Sequence, residues 1–372
     1  MEQARRSAMA HHVHRIAPMG AWVLINETWY QETCARKFWK RLIMPDSMGV
    51  VELSFGAVSM PRRCIGQEVF GFGAEVGRRS GLEELSVLIE WSVIERLLDP
   101  IHCAAKGEPA WPPLALFKAL LIAVWHDLSD VKLSEALGDR ASFRRFCGFS
   151  TTEVTPERTT FVRFRKQLLG CGGLDKELFN EVTRQLKAKA VKVKTGTLVD
   201  ATVIASASRQ DSEAAWSGHR SRKAIHGFKA HVGADAETAI VEELSVTPGN
   251  IHDGRAGYGA LPDNPGDVYA DSGYRGQVFA SAVLAKGGTP KVVQTGAWGR
   301  PGDDTLRALR SWNYSVQRVR CRIEKIFGTW KRSYGLRRMR WKGLAKATLQ
   351  VRLTALAYNL KRTMTILTVV RV

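Results

Sequence analysis

Between residues 305 and 362 the sequence holds a single carboxylate, Glu324, against sixteen lysines and arginines. A stretch so poor in negative charge is suited to attracting polyanions. Long apolar runs are also missing. The longest, LALFKALLIAVW at 114–125, carries Lys118 and falls short of the roughly 20 residues that span a bilayer, so no membrane partner is expected. The N-terminus has no basic flank leading into an apolar core, so no secretory leader is expected. The six cysteines, at 34, 64, 103, 147, 171 and 321, are scattered and form no C-x-x-C pair. That argues against a disulfide framework and a zinc knuckle and fits a reduced cytoplasm. No internal repeat is found, which argues against a solenoid or propeller.

What the chain does have is positive charge. Over 372 residues, 55 Lys and Arg face 36 Asp and Glu, for a net charge of +19. An excess of that size favours nucleic acid or another anionic surface as partner. Apolar content is 45%, enough for a proper core.

Four segments follow from composition and periodicity. Residues 1–60 show no sustained period and are read as an irregular or upstream extension. Met48 and Met60 are alternative starts, and HHVH at 11–14 is read as incidental clustering. Residues 61–190 are read as an all-helical N-terminal domain, with apolar positions three and four apart in LEELSVLIEWSVIERLL and a proline start in PPLALFKALLIAVWHDLS. In TPERTTFVRFRKQLLG, Thr155 is the expected N-cap, Pro156 the first helical position and Gly170 the stop. Three short helices here suggest a helix-turn-helix, which makes Arg144, Arg145, Arg163 and Arg165 DNA-binding candidates. The bland alternative is a helical bundle with a solvated basic face.

At about 190 the period changes. LVDATVIAS is a strand, and the polar stretch of about twenty residues after it is read as a loop. HGFKAHVGAD and TAIVEELSVT are strands, NIHDGRAGYGAL is compact, and GDVYADSGYRG is a strand ending at Asp271. QVFASAVLAKGG is a helix, PKVVQT a strand, and 304–332 a long helix. The fold class is therefore α/β over 191–335: a mixed sheet in the order β-β-β-α-β-α-β-α, an antiparallel meander followed by parallel units. Residues 336–372 are read as a basic C-terminal helical tail.

Asp200 sits mid-strand among Leu198, Val199, Val203 and Ile204, where a lone carboxylate is costly unless it is paired or holds a cation. Asp271 ends a strand, where open α/β sheets place ligands. Glu324 lies on the long helix. At about 100° per residue, Gln317, Arg320, Glu324 and Lys331 share one narrow face, and Val316, Val319, Ile323, Ile326 and Trp330 form the packing arc. Three carboxylates on two strands and a helix suit Mg²⁺, with Mn²⁺ as a substitute, better than zinc. The alternative for Glu324 is a surface ion pair with Arg320, worth under about 1 kcal/mol. Among the other acids, Asp235 suits a turn, and Asp253 is a supporting candidate. His226 and His231 are read as surface or strand-face residues. Trp330 is assigned to the core, and Trp298 and Trp312 are left open as base-stacking candidates.

These segments resemble the DDE transposases of bacterial insertion sequences, most closely the insertion sequence 5 family. That group carries Tyr-x2-Arg-x3-Glu-x6-Lys. The chain supplies Arg320, Glu324 and Lys331 at that spacing, with Gln317 in the Tyr position. LVDATVIAS and YADSGYRG resemble its two Asp segments, HGFKAHVGAD and TPGNIHD its linking strands, and the region from Trp111 to Phe149 its N-terminal helical domain. The resemblance runs over roughly 61–362. It implies a ribonuclease H-like catalytic domain, with Asp200, Asp271 and Glu324 as catalytic metal ligands and Arg320, Lys331 and Gln317 as DNA contacts. It further implies double-stranded DNA partners, both terminal inverted repeats and target, with two metal ions about 3.5–4 Å apart in the reaction. A homodimer in the active complex and a cytoplasmic, nucleoid-associated location also follow. The rivals are a hydrolytic nuclease of the same fold, a non-catalytic DNA-binding regulator, and a silenced copy.

Overall fold

The computed structural model describes residues 22–25, 28–31, 62–63, 65–66, 81–101, 109–190, 193–219, 222–296 and 302–370. The HHVH cluster, Cys34, Cys64, Cys103 and Trp298 lie outside the described residues. The chain forms two compact units, one of residues 1–63 and 102–110, the other of 64–101 and 111–372. In the first, β1 (Trp22–Ile25) and β2 (Thr28–Gln31) pair antiparallel across a two-residue link. This strand pair lies within the segment read as an irregular or upstream extension and is rich in strand-favouring Trp, Val and Tyr residues.

Among its described residues the second unit begins with seven helices: α1 (Gly81–Ser86), α2 (Trp91–Leu97), α3 (Pro113–Trp125), α4 (Asp130–Asp139), α5 (Ala141–Cys147), α6 (Arg158–Gly170) and α7 (Leu174–Ala190). Eleven of the thirteen residues of α3 are buried, as expected for a helix apolar on every side. Ser129 caps α4 by accepting from the Lys132 amide. Helix α6 starts at Arg158, two residues later than Pro156 suggested. The Pro156 carbonyl instead accepts a 3.0 Å hydrogen bond from Ser134, which ties the proline to α4.

The sheet follows. Its strands are β3 (Gly196–Ala205), β4 (Ala215–His219), β5 (Arg222–Asp235), β6 (Val241–Pro248), β7 (Asp267–Ala270) and β8 (Thr289–Val292). Between them lie α8 (Asp253–Ala256) and α9 (Gln277–Ala285), with 3-10 turns at Gly257–Ala260 and Ser272–Tyr274. Strand order is β4-β5-β3-β7-β8, with β6 also on β5; β3, β7 and β8 run parallel and the other pairings are antiparallel. The polar stretch read as a loop contains β4, which pairs with the first residues of β5 and adds a strand to the expected order. Asp211 anchors its base, accepting from Ser206 at 2.7 Å and from the Gly343 amide at 3.1 Å.

Two long helices close the unit: α10 (Asp303–Arg332) and α11 (Leu344–Val370). Residues 336–372 were expected as a tail, yet α11 is a core element. Ala347, Leu349, Val351, Leu353, Leu356 and Leu360 are buried. The Trp125 indole of α3 donates to the Ala357 carbonyl at 2.8 Å. Asn359 brackets Val241 of β6, accepting from its amide at 2.8 Å and donating to its carbonyl at 2.7 Å. A single apolar core therefore runs from α3 through α11 to one face of the sheet, where Leu198, Phe228, Val232, Ile323 and Trp330 join it. The boundaries expected near 190 and 335 do not separate independent cores. A second cluster covers the other sheet face with Val199, Val268, Tyr274, Phe279 and Val283.

Candidate active site

Residues on β3 alternate between the two cores: Leu198 faces the first and Val199 the second. Asp200 therefore projects on the α10 side, and α10 buries Val316, Ile323, Ile326 and Trp330 along its packing stripe. Strand β7 lies parallel to β3 with Val199 opposite Ala270. The next residues along each strand are Asp200 and Asp271, so sheet register alone brings two acids to one level at the end of β7. Asp271 leaves the strand and caps the following turn, accepting from the Ser272 amide at 2.7 Å.

Arg320 of α10 reaches both acids. Its guanidinium donates to Asp200 at 2.9 Å and lies 3.6 Å from Asp271. The Asp200 and Arg320 side chains are mostly buried, and the Asp271 side chain is 51% exposed. Burial is the largest influence on Asp200 and raises its carboxyl to about 6, with the Asp271 charge pushing the same way. Arg320 and the Ala201 amide, at 2.8 Å, pull it down. Both carboxylates are thus gathered around one positive charge.

Glu324 is exposed, one helical turn beyond Arg320. Among the described residues no three His, Cys, Asp or Glu side chains form a metal-holding group. Of the expected trio, Asp200 and Asp271 share the Arg320 guanidinium, and Glu324 lies on the exposed face of α10. Arg320 is the residue of α10 that reaches both aspartates. Arg320 and Glu324 do not form the simple ion pair weighed as the alternative, because Arg320 is held by the acids of the sheet. Gln317 is exposed on the same helix, and Lys331 is half-buried near its C-terminal end, where the helix continues past Gly328.

Two groups beside the site were not singled out as site residues from the sequence. Tyr274 is fully buried, and its hydroxyl has no hydrogen-bond partner among the described residues. Burial raises its pKa well above the ordinary tyrosine value, and the charges of Asp200 and Asp253 add to that. Its ring fills the space over Gly257, where a Cβ would stand 2.4 Å from the ring. Lys229 pairs with Asp253 at 2.9 Å and donates to the Ile251 carbonyl at 2.9 Å. The DSGYRG segment offered a signal for Tyr274 in its position three residues after Asp271. Lys229 offered none, because its partner lies 24 residues away in the sequence.

Asp235 caps its own turn, accepting from the Thr238 amide at 2.7 Å and hydroxyl at 2.6 Å. His231, read as a surface or strand-face residue, lies on β5 and is fully buried; burial lowers its pKa to about 4, and its Nε2 meets the Thr247 hydroxyl at 3.1 Å. Trp330 is fully buried, and Trp312 donates to the Val292 carbonyl at 2.9 Å.

The helical-region arginines need a correction. Arg144 is buried and donates to three backbone carbonyls: Ser150 at 2.8 Å, Leu137 at 3.3 Å, and Glu153. Arg165 is buried, forks onto Asp130 at 2.8 and 2.6 Å, and stacks 4.2 Å from the centre of the Trp341 ring. Neither is placed to hold DNA. Arg145 pairs with Glu83 at 2.9 Å, and Arg163 is exposed.

Comparison with known families fits this geometry. Residues 192–360 match the transposase DDE domain family, and residues 72–167 match a second family described as a transposase domain, DUF772. The two matches indicate a DDE-type transposase, a class with DNA as substrate that in general uses divalent metal ions. The mixed α/β fold is consistent with a ribonuclease H-like DDE domain. The donor chemistry fits such an ion: two hard carboxylates converge on a position that already takes a positive charge. No helix among the described residues is long and apolar enough to cross a membrane.

Proposed function

We propose that the chain is a transposase of the insertion sequence 5 type, cutting DNA strands at element ends and joining them to a target. The carrying observation is the Arg320 guanidinium holding Asp200 and Asp271 at the end of two parallel strands, with Glu324 one turn further along that helix. Asp200 and Asp271 would hold Mg²⁺, or Mn²⁺ in its place, and Glu324 would complete the set from α10. Such an ion would supply activation of the attacking hydroxyl or water and stabilisation of the leaving oxygen.

The chain's own residues do the rest. Arg320 leaves the aspartates for a DNA phosphate, and Lys331 and Gln317 meet the backbone on the same side. Tyr274 backs the turn after Asp271 from the second core. Arg163 and Arg145 are the remaining helical-region candidates for contact with the terminal repeats. The active complex is a homodimer acting on double-stranded DNA, end and target, in the bacterial cytoplasm at the nucleoid.

The test is incubation of the protein with Mn²⁺, a duplex carrying the element's end and a supercoiled plasmid. Joined end–plasmid products are expected. Nicked or cut DNA without joining would leave only a nuclease of the same fold. Binding without any cleavage would leave a regulator or a silenced copy.

A further inference from the structure

The opposite side of α10 carries a second feature. A groove of about 620 Å³ is lined by Arg322, Lys325 and Thr329 of α10, by Lys361 and Arg362 of α11, and by Glu237 of the β5–β6 turn. At about 100° per residue these α10 positions lie about 140–200° around the helix from Arg320. The groove is therefore separate from the carboxylate site. It holds four cations and one carboxylate.

The cations are differently fixed. Arg322 donates to the Ala236 carbonyl, and Arg362 donates to the Thr238 carbonyl at 2.7 Å. Both helices thus clamp the same turn. A guanidinium has five N–H donors, and among the described residues these bonds engage one in each arginine. Lys361 is half-buried, its ammonium 5.9 Å from the Trp125 ring centre and 5.8 Å from that of Tyr334. Lys325 is exposed and has no anionic partner among the described residues. Four cations line one groove against a single carboxylate, and an anion bound there would be attracted to that excess of positive charge. The hydroxyls of Thr329, Ser333 and Thr365 complete a wall of hydrogen-bonding groups.

We propose that this groove binds the phosphate backbone of duplex DNA, engaging a segment other than the one presented to Asp200 and Asp271. The net charge of +19 draws polyanions in preference to small anions, and the groove's openness along two helices suits a continuous backbone. The proposal rests on the transposase reading, in which one protein handles more than one DNA segment.

The test measures binding of an arbitrary 30-base-pair duplex in EDTA across a salt series, so that cleavage plays no part. Lys325→Ala should lower the slope of log affinity against log salt by about 1, and Lys325→Ala with Lys361→Ala by about 2. Lys325→Glu should weaken binding at low salt by at least fivefold. Arg96→Glu, the same charge change on α2 outside the groove, should change it less than twofold. A photo-crosslinker in place of Thr329 should attach to the duplex, and inorganic phosphate at matched ionic strength should not compete. Wild-type slopes in the lysine variants, no crosslink, or displacement of the duplex by inorganic phosphate would each overturn the proposal; the last would mark a small-anion site. A protein that binds through the groove and never cleaves refutes the transposase reading alone. One that cleaves with unchanged slopes refutes the groove alone.

Discussion

Arg144 and Arg320 are the same residue type in two basic regions, and the structure uses them in opposite ways. Arg144 lies inside the helical region with neutral backbone carbonyls as its partners. Arg320 lies at the sheet end between two carboxylates, with its Nε unpartnered among the described residues. Carbonyls of a folded loop cannot exchange their donor without unfolding the loop. Carboxylates that face one cation can accept another. Basic sequence thus means architecture in one region and exchangeable charge in the other.

The largest effect that would break this contrast is at the acids. Asp200→Asn, Asp271→Asn and Glu324→Gln should each lower strand cleavage by about 10³-fold or more, with duplex affinity within about twofold of wild type. Full cleavage by the Glu324 variant would remove the helix from the site and confine the chemistry to the sheet. Next comes Arg144→Ala. It should cost about 3 kcal/mol of stability by leaving buried carbonyls unsatisfied, read as a lower denaturant midpoint, with no change in the salt slope of DNA binding. A lowered slope with intact stability would make Arg144 a DNA contact after all.

A third measurement sharpens the electrostatics. The folded-state pKa of Asp200 stands above its unfolded value, so the native state holds the proton more tightly. Its contribution is therefore favourable below pH 4 and is lost as the pH rises through about 6. Asp200→Asn carries no such proton, so its stability relative to wild type should improve by about 1–3 kcal/mol between pH 4 and pH 8. A constant difference across that range would mean that Arg320 already keeps the acid ionised. The smallest effect is expected at Arg163→Ala: stability within about 0.5 kcal/mol and a salt slope lowered by about 1. An unchanged slope would leave the helical region without a DNA contact at this position.

The strands around Asp200 and Asp271 were legible because a carboxylate in a β-branched run contradicts its surroundings. Helix α10 was legible from its apolar stripe, which the structure buries at Val316, Ile323, Ile326 and Trp330. Strand β4 was not, because AWSGH is short and polar and is a strand only beside Arg222–Gly227. Arg144 and Arg165 looked like DNA contacts because local spacing does not reveal burial. Helix α11 looked like a tail because its charges are visible in sequence, while the helices and strand that cover its apolar residues lie elsewhere in the chain.

The sequence by itself determined which residues are chemically unusual here: two acids in apolar strands, and one acid in a basic helix. Their types and periods are local properties, written within a few residues of each. Only the tertiary structure decided which of them meet. Parallel register set Asp200 beside Asp271, and helix rotation presented Arg320 to both acids while leaving Glu324 one turn away. Those distances depend on packing between elements separated by scores of residues, and no local pattern encodes them.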